Sequence, residues 1–176
     1  MQYSADICSG GTASADSILN SSYTGANAFD NNTSTQWVTS DVPRPHWLKY
    51  DLGAGVVKIV QKLRLWNPAD GGHSTCRAFK LQGSNNDSDW VDVYSGECAD
   101  AVDQWQDFTF INTVAYRYYR VYITTSYVAG NYGRMGEVEM LTFGAGVKSM
   151  LGLNLVSAKT VNGLAIASVK TINGLA

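Results

Sequence analysis

Apolar residues in this chain recur at every second position in short runs, and nowhere at every third or fourth position over a long stretch. Alternation puts successive side chains on opposite faces of an extended strand, whereas an amphipathic helix needs a 3.6-residue period. Trp47 to Leu52 reads as one strand, approached through Pro43-Arg44-Pro45. Val56 to Trp66 is expected to be a second, with Val57, Ile59, Leu63 and Leu65 on one face and Gln61 interrupting. Phe79 to Ser84 runs into the polar turn Asn85-Asn86-Asp87-Ser88, and Trp90 to Tyr94 follows at hairpin distance. Phe108 and Phe110 share a face of the next strand, Ala115 to Ile123 makes a long one, and Gly136 to Phe143 closes the series. Many short strands separated by Gly, Asn, Asp and Ser clusters predict an all-β sandwich or jelly roll.

Length and charge narrow the partners. A chain of 176 residues is one ordinary domain plus an appendage. Its hydrophobic share of 45% and aromatic share of 11% are enough for a single core. The net charge of -2 is unevenly spread: residues 1–143 carry ten basic and fifteen acidic side chains, while the tail carries only Lys148, Lys159 and Lys170. No concentrated basic face is available for phosphates, so no nucleic-acid partner is expected. No apolar run reaches the roughly 18–20 residues of a membrane span. The start, Met1 to Asp6, has neither the basic nor the apolar region of a secretory signal, so no signal peptide is expected.

Cysteine and motif counts narrow the chemistry. Cys8, Cys76 and Cys98 are odd in number and lack metal-ligand spacing. They allow at most one intrachain disulfide, the sequence leaves open which, and buried free thiols are the simpler expectation. Catalysis is not expected. The chain has no Gly-x-Ser-x-Gly elbow, no His-Glu-x-x-His and no phosphate-cradling glycine loop, and its two histidines lie near no recognisable nucleophile. Glu137 and Glu139 share a strand face, but a solvated Glu139 is the simpler reading.

The tail has its own pattern. Val147–Ser157, Ala158–Ser168 and Val169–Ala176 align as a repeat of eleven residues that superposes Lys148, Lys159 and Lys170, and also Gly152, Gly163 and Gly174. Asn162-Gly163 and Asn173-Gly174 are type I′ hairpin signals. A unit this short cannot bury its own apolar face, so Leu164, Ile166, Ile172 and Leu175 need a partner. The expected division is a sandwich over residues 1–144 and an assembly tail over 145–176, forming β-hairpins. The tail would pair with other copies of the chain or with other proteins of a larger particle.

Five segments in register carry a family resemblance: Asn27 to Trp37, Pro45 to Gly53, Phe79 to Asn85 ahead of Trp90, Ala115 to Val121, and Gly136 to Met140. In that order they resemble the coagulation factor 5/8 C-terminal, or discoidin, domain, whose bacterial branch is the family 32 carbohydrate-binding module. The resemblance covers about residues 5 to 144 and implies an eight-stranded antiparallel jelly-roll β-sandwich that binds glycans or lipid headgroups through loops at one end. It also implies a structural Ca²⁺ held by the side chains of Asp30, Thr35 and Glu137 and the backbone carbonyls of Asn27 and Asn32. That donor set suits an ion that takes six to eight oxygens. Asn31 stands where the family commonly has glycine, and asparagine tolerates the left-handed conformation better than most residues.

For the ligand, the resemblance points to the loops Val38–Arg44, Asn67–Thr75 and Ser126–Arg134, which offer Asp41, Asn67, Asp70, His73, Tyr127, Asn131, Tyr132 and Arg134. Val38 occupies the place where many sugar-binding members carry histidine, a departure from the usual galactose-type site. His46 is expected to be structural. The tail is similar to repeats in bacteriophage structural proteins. Together these suggest a non-catalytic module that binds cell-surface glycans from a virion or other extracellular assembly. The alternatives are a purely structural assembly part and a free secreted lectin.

Overall fold

The computed structural model describes residues 3–68, 73–143, 160–161 and 164–165. Asp70, Asn173-Gly174 and most of the tail lie outside the described residues. In chain order the strands are β1 (Thr12–Ala15), β2 (Trp37–Val38), β3 (His46–Asp51), β4 (Lys62–Trp66), β5 (Ala78–Ser84), β6 (Val91–Glu97), β7 (Trp105–Thr109), β8 (Tyr118–Ile123), β9 (Arg134–Met135) and β10 (Glu137–Leu141). Five form one sheet in the order β1-β3-β8-β5-β6, and three form a second in the order β10-β4-β7. Every pairing is antiparallel, so the eight-stranded sandwich expected from the sequence is the fold. A separate two-stranded ribbon joins β2 to β9.

Alternation in sequence becomes alternation in burial. Along β3 and β8 every second residue is buried, which sends Leu48, Tyr50, Tyr119, Val121 and Ile123 into the core. Leu63 and Leu65 of β4, Phe79 and Leu81 of β5, and Val138 and Met140 of β10 join the same cluster. Each such side chain contributes about 1.5–3 kcal/mol by leaving water. Phe108 and Phe110 turn inward as expected, with Phe110 stacked on Tyr94 at 4.8 Å.

The expected strand from Val56 to Trp66 is shorter in the structure. Only Lys62–Trp66 is strand, and Val56 and Val57 are exposed. The Tyr119 hydroxyl explains where the ladder stops. It accepts from the Val60 N–H at 3.3 Å, so a side chain takes a backbone group that a strand partner would otherwise use, and it donates at 2.6 Å to the Lys58 carbonyl, which also accepts the Tyr116 N–H in an isolated bridge. Burial pushes that hydroxyl up to about 12. Gly53 and Gly55, at φ of 101° and 77°, make the preceding turn, which a residue with a side chain would strain.

Chain contacts divide the protein into Tyr3–Phe143 and a second unit of Met1–Gln2 with Gly144–Ala176. In the second unit, β11 (Thr160–Val161) pairs antiparallel with β12 (Leu164–Ala165), the two lying either side of Asn162-Gly163 in sequence.

Candidate functional site

The β2–β9 ribbon positions two clusters. Trp37 pairs with Met135 and Val38 with Arg134, so Thr35 and Glu137 lie just beyond one end and Thr39 and Gly133 just beyond the other.

At the Thr35 end, the chain makes a 3-10 turn over Gly25–Phe29 and then a tight loop. The Asn27 side chain closes that loop, donating to the Ser22 carbonyl at 2.8 Å and the Gln36 carbonyl at 3.1 Å. Asn31 sits at φ 60°, the left-handed conformation that its place in the loop requires. The Thr35 hydroxyl then lies 2.8–3.3 Å from four oxygens: both carboxylate oxygens of Asp30 and the carbonyls of Asn27 and Asn32. One hydroxyl proton can serve only one of them. Glu137, 1% exposed, reaches the cluster from β10 and accepts the Asp30 N–H at 2.9 Å. Burial, followed by the neighbouring Asp30 side chain, pushes its carboxyl up to about 8. Among the described residues no three His, Cys, Asp or Glu side chains converge as a metal group. This cluster has two carboxylates, and its other donors are neutral oxygens. That set matches a hard cation such as Ca²⁺ rather than zinc.

At the Thr39 end, three loops meet. The Thr39 N–H donates to the Gly133 carbonyl at 3.0 Å, and the Gly133 N–H donates to the Thr39 hydroxyl at 2.9 Å. The Thr75 hydroxyl exchanges hydrogen bonds with the Arg134 carbonyl and N–H at 3.0 and 2.8 Å. The Tyr127 N–H donates to the Ser74 carbonyl at 3.2 Å. Arg44 donates through one guanidinium nitrogen to the Gly130 carbonyl and through another to the Tyr132 carbonyl. Between them, the Asn131 carbonyl meets Nε2 of His46, whose Nδ1 faces Asp16 at 2.9 Å. Four consecutive carbonyls, from 130 to 133, are therefore taken by residues from the segment 39–46. Glycine at 133 suits this approach, because a Cβ there would lie 3.0 Å from the His46 ring, which would have to give by a few tenths of an ångström.

The predicted ligand residues fall into three groups. Asp41 and Tyr132 are exposed, Tyr132 at 41%, and Asn131 and Arg134 are half-buried beside them. His73 is exposed but pairs with Asp100 at 2.7 Å, and Tyr127 spends its hydroxyl on the Cys98 carbonyl at 2.9 Å. The Ser74 N–H, and after it His73, holds the Asp100 carboxyl below the usual carboxylate range. Asn67 corrects the expectation, since it is fully buried and cannot touch a ligand on the surface. Its backbone carbonyl accepts the Asp103 N–H at 2.9 Å, and its side-chain amide is buried near the Cys98 thiol. Sequence reading named the loops that hold Arg44, Thr39 and Thr75 but did not single out these three residues. Their partners lie 59 to 94 residues away, a separation that no local pattern signals.

A jelly-roll sandwich with loops gathered and pinned at one end defines the class by its fold. The sequence profile of the F5/8 type C domain matches residues 11–138, and the chain belongs to that family. Comparison with curated proteins finds no match. Among solved structures, the chain is similar to a family 32 carbohydrate-binding module of C. perfringens NanJ in complex with galactose. That pair has a TM-score of 0.68 at 19% identity, covering 80% of this chain and 100% of the module. It is also similar to chitosan-binding module 2 of a Paenibacillus sp. IK-5 chitosanase/glucanase in complex with chitotriose, with a TM-score of 0.65, 26% identity and coverage of 79% and 100%. A third is the family 32 module of AlyQ in complex with 4,5-unsaturated mannuronic acid, with a TM-score of 0.60, 21% identity and coverage of 80% and 97%.

Proposed function

We propose that this chain is a non-catalytic carbohydrate-binding module, and that its glycan site is the apical surface around Asp41, Asn131, Tyr132 and Arg134. The observation that carries this reading is an exposed tyrosine on a loop whose backbone is fixed from beneath. A sugar ring stacks on an aromatic face, and its hydroxyls take hydrogen bonds from flanking amide and charged groups. A loop held in advance loses little freedom on binding. The relatives in complex with galactose, chitotriose and a mannuronic acid support a sugar as the ligand class. A glycan-array screen of the full chain tests it. Binding to one glycan class that Tyr132→Ala removes supports the reading, and silence across the array sinks it.

The same proposal gives the oxygen cluster a structural Ca²⁺, held by Asp30, Thr35 and Glu137 with the carbonyls of Asn27 and Asn32. The ion would supply the positive charge that two adjacent carboxylates need. Calcium should raise the melting temperature and chelation lower it, by mass action on the folded state.

The setting we propose is extracellular, as part of a virion or a comparable assembly, with the tail as anchor. The eleven-residue repeat and the β11–β12 pairing favour this over a free lectin, because isolated hairpins are marginal in water and gain by pairing. Deleting residues 145–176 should leave a folded monomeric sandwich and remove self-association. Light scattering of both proteins decides it, and a full-length chain that is already monomeric with no partner defeats the assembly role.

A further inference from the structure

Beneath the apical loops lies a pair of thiols that the binding reading does not use. Cys76 and Cys98 flank the β5–β6 ladder just beyond its terminal pair, Ala78 and Glu97. Their sulfurs are 3.6 Å apart, and the residues are 0% and 1% exposed. The Cys98 N–H donates to the Arg77 carbonyl at 2.8 Å, so the two backbones are already held side by side. A disulfide needs about 2.05 Å between sulfurs, a closure of roughly 1.5 Å that small side-chain rotations provide. Cys8 is buried elsewhere, beside Asp6.

We infer that Cys76 and Cys98 are a cystine site, whose disulfide staples the floor of the apical surface. Each cysteine is one bond from an apical loop. The Cys98 carbonyl accepts the Tyr127 hydroxyl at 2.9 Å, and the Cys76 carbonyl accepts the Ser74 hydroxyl at 2.8 Å. Joining the sulfurs ties the base of the 73–75 segment to the partner of Tyr127. It replaces two independent thiols with one covalent link across 22 residues.

The chemistry needs an oxidant of the small-molecule disulfide class, such as oxidised glutathione. Either thiol can open the exchange, Cys98 for one. Its thiolate attacks one glutathione sulfur and expels the other glutathione as thiolate. Cys76 then gives up its proton and attacks the Cys98 sulfur of the mixed disulfide, expelling the second glutathione. Two protein thiols become one cystine, and one glutathione disulfide becomes two thiols. Burial places this exchange during folding, before the core closes, and afterwards shields the bond from reductants.

The test is the full chain refolded in a buffer of reduced and oxidised glutathione. Intact mass should show the loss of two hydrogens, and a non-reducing peptide map should join the peptides of Cys76 and Cys98. A single thiol, Cys8, should titrate after denaturation, and Cys8→Ser should leave the bridge in place. The oxidised protein should melt roughly 5 °C above the reduced one. Three titrating thiols after refolding, or a mapped bridge that includes Cys8, would overturn the inference. Mass and mapping make no use of a glycan, so this result stands apart from that of the array.

Discussion

On one side of the β2–β9 ribbon, the loop from Asn27 to Thr35 is built mainly from its own neighbours. Its hydrogen bonds span two to nine residues, and only Glu137 arrives from afar. On the other side, residues 130–133 are held by Thr39, Arg44 and His46, at separations of 85 to 94 residues. The first loop places negative and neutral oxygens around a point, a set that the Ca²⁺ we propose would complete. The second presents carbonyls to side chains, and the protein completes it from within. On that proposal the first waits for an ion from solution. The other is finished before any ligand arrives.

The largest expected effect breaks the internally completed side. His46→Ala strips a fully buried ring from between Asp16 and the Asn131 carbonyl, leaving a cavity and that carbonyl without its partner, while Asp16 keeps the Trp47 N–H. It should cost about 3 kcal/mol in denaturant unfolding. Glycan binding should weaken while the calcium response of the melting curve survives. A lost calcium response would show that the two sides are not separable.

Asp30→Ala breaks the other side. Calcium at a hundred times its Kd stabilises a folded protein by about 2.7 kcal/mol, and the variant should lose that increment. Melting curves with calcium and with chelator should coincide in the variant and differ in the parent. Glycan binding should persist at saturating ligand.

Tyr132→Ala sharpens the contrast, because its side chain is exposed and its carbonyl, not its ring, anchors the loop. Stability should change by less than about 0.5 kcal/mol, while the array signal falls to background. A stability loss as large as that of His46→Ala would make Tyr132 a packing residue.

The smallest effect lies outside both loops and serves as a control. The Arg117 guanidinium holds the Asp51 carboxyl below its usual range through bonds of 2.7 Å. A depressed carboxylate contributes stability that is present above its ordinary value and lost as pH falls through the lowered folded one. Arg117→Ala should therefore flatten a small part of the acid limb of stability against pH and leave the curve above pH 5 parallel to the parent's. Both groups are solvated, which keeps the effect slight.

Strand-forming segments announce themselves where burial alternates. Trp47–Leu52 was legible because each second residue goes inward, and Phe79–Ser84 because it alternates at its start before four buried residues in a row. β1, β2 and β9 were not, since Thr12–Ala15 has no large apolar residue and two-residue strands have no period. The oxygen loop was legible because its donors sit close in sequence and match a family pattern. Most of the apical loops could be named, but Asn67 could not be placed. A polar residue at a strand end reads as a loop residue unless one knows that Asp103 and Cys98 cover it.

The place where the sandwich begins and ends has a mechanical consequence. Tyr3 bridges Phe143 with its ring stacked at 4.8 Å, and the Ser4 N–H donates to the Thr142 carbonyl at 2.8 Å. Pulling these termini apart peels the contacts one at a time, and such a zipper yields at low force. Tension between the apical loops and Phe143 follows another route, along β10. The ladder of that strand to β4, from Glu137–Trp66 to Leu141–Lys62, then shares the load across all its rungs at once. The sandwich is weak when opened from its ends and stiff when tugged from its tip.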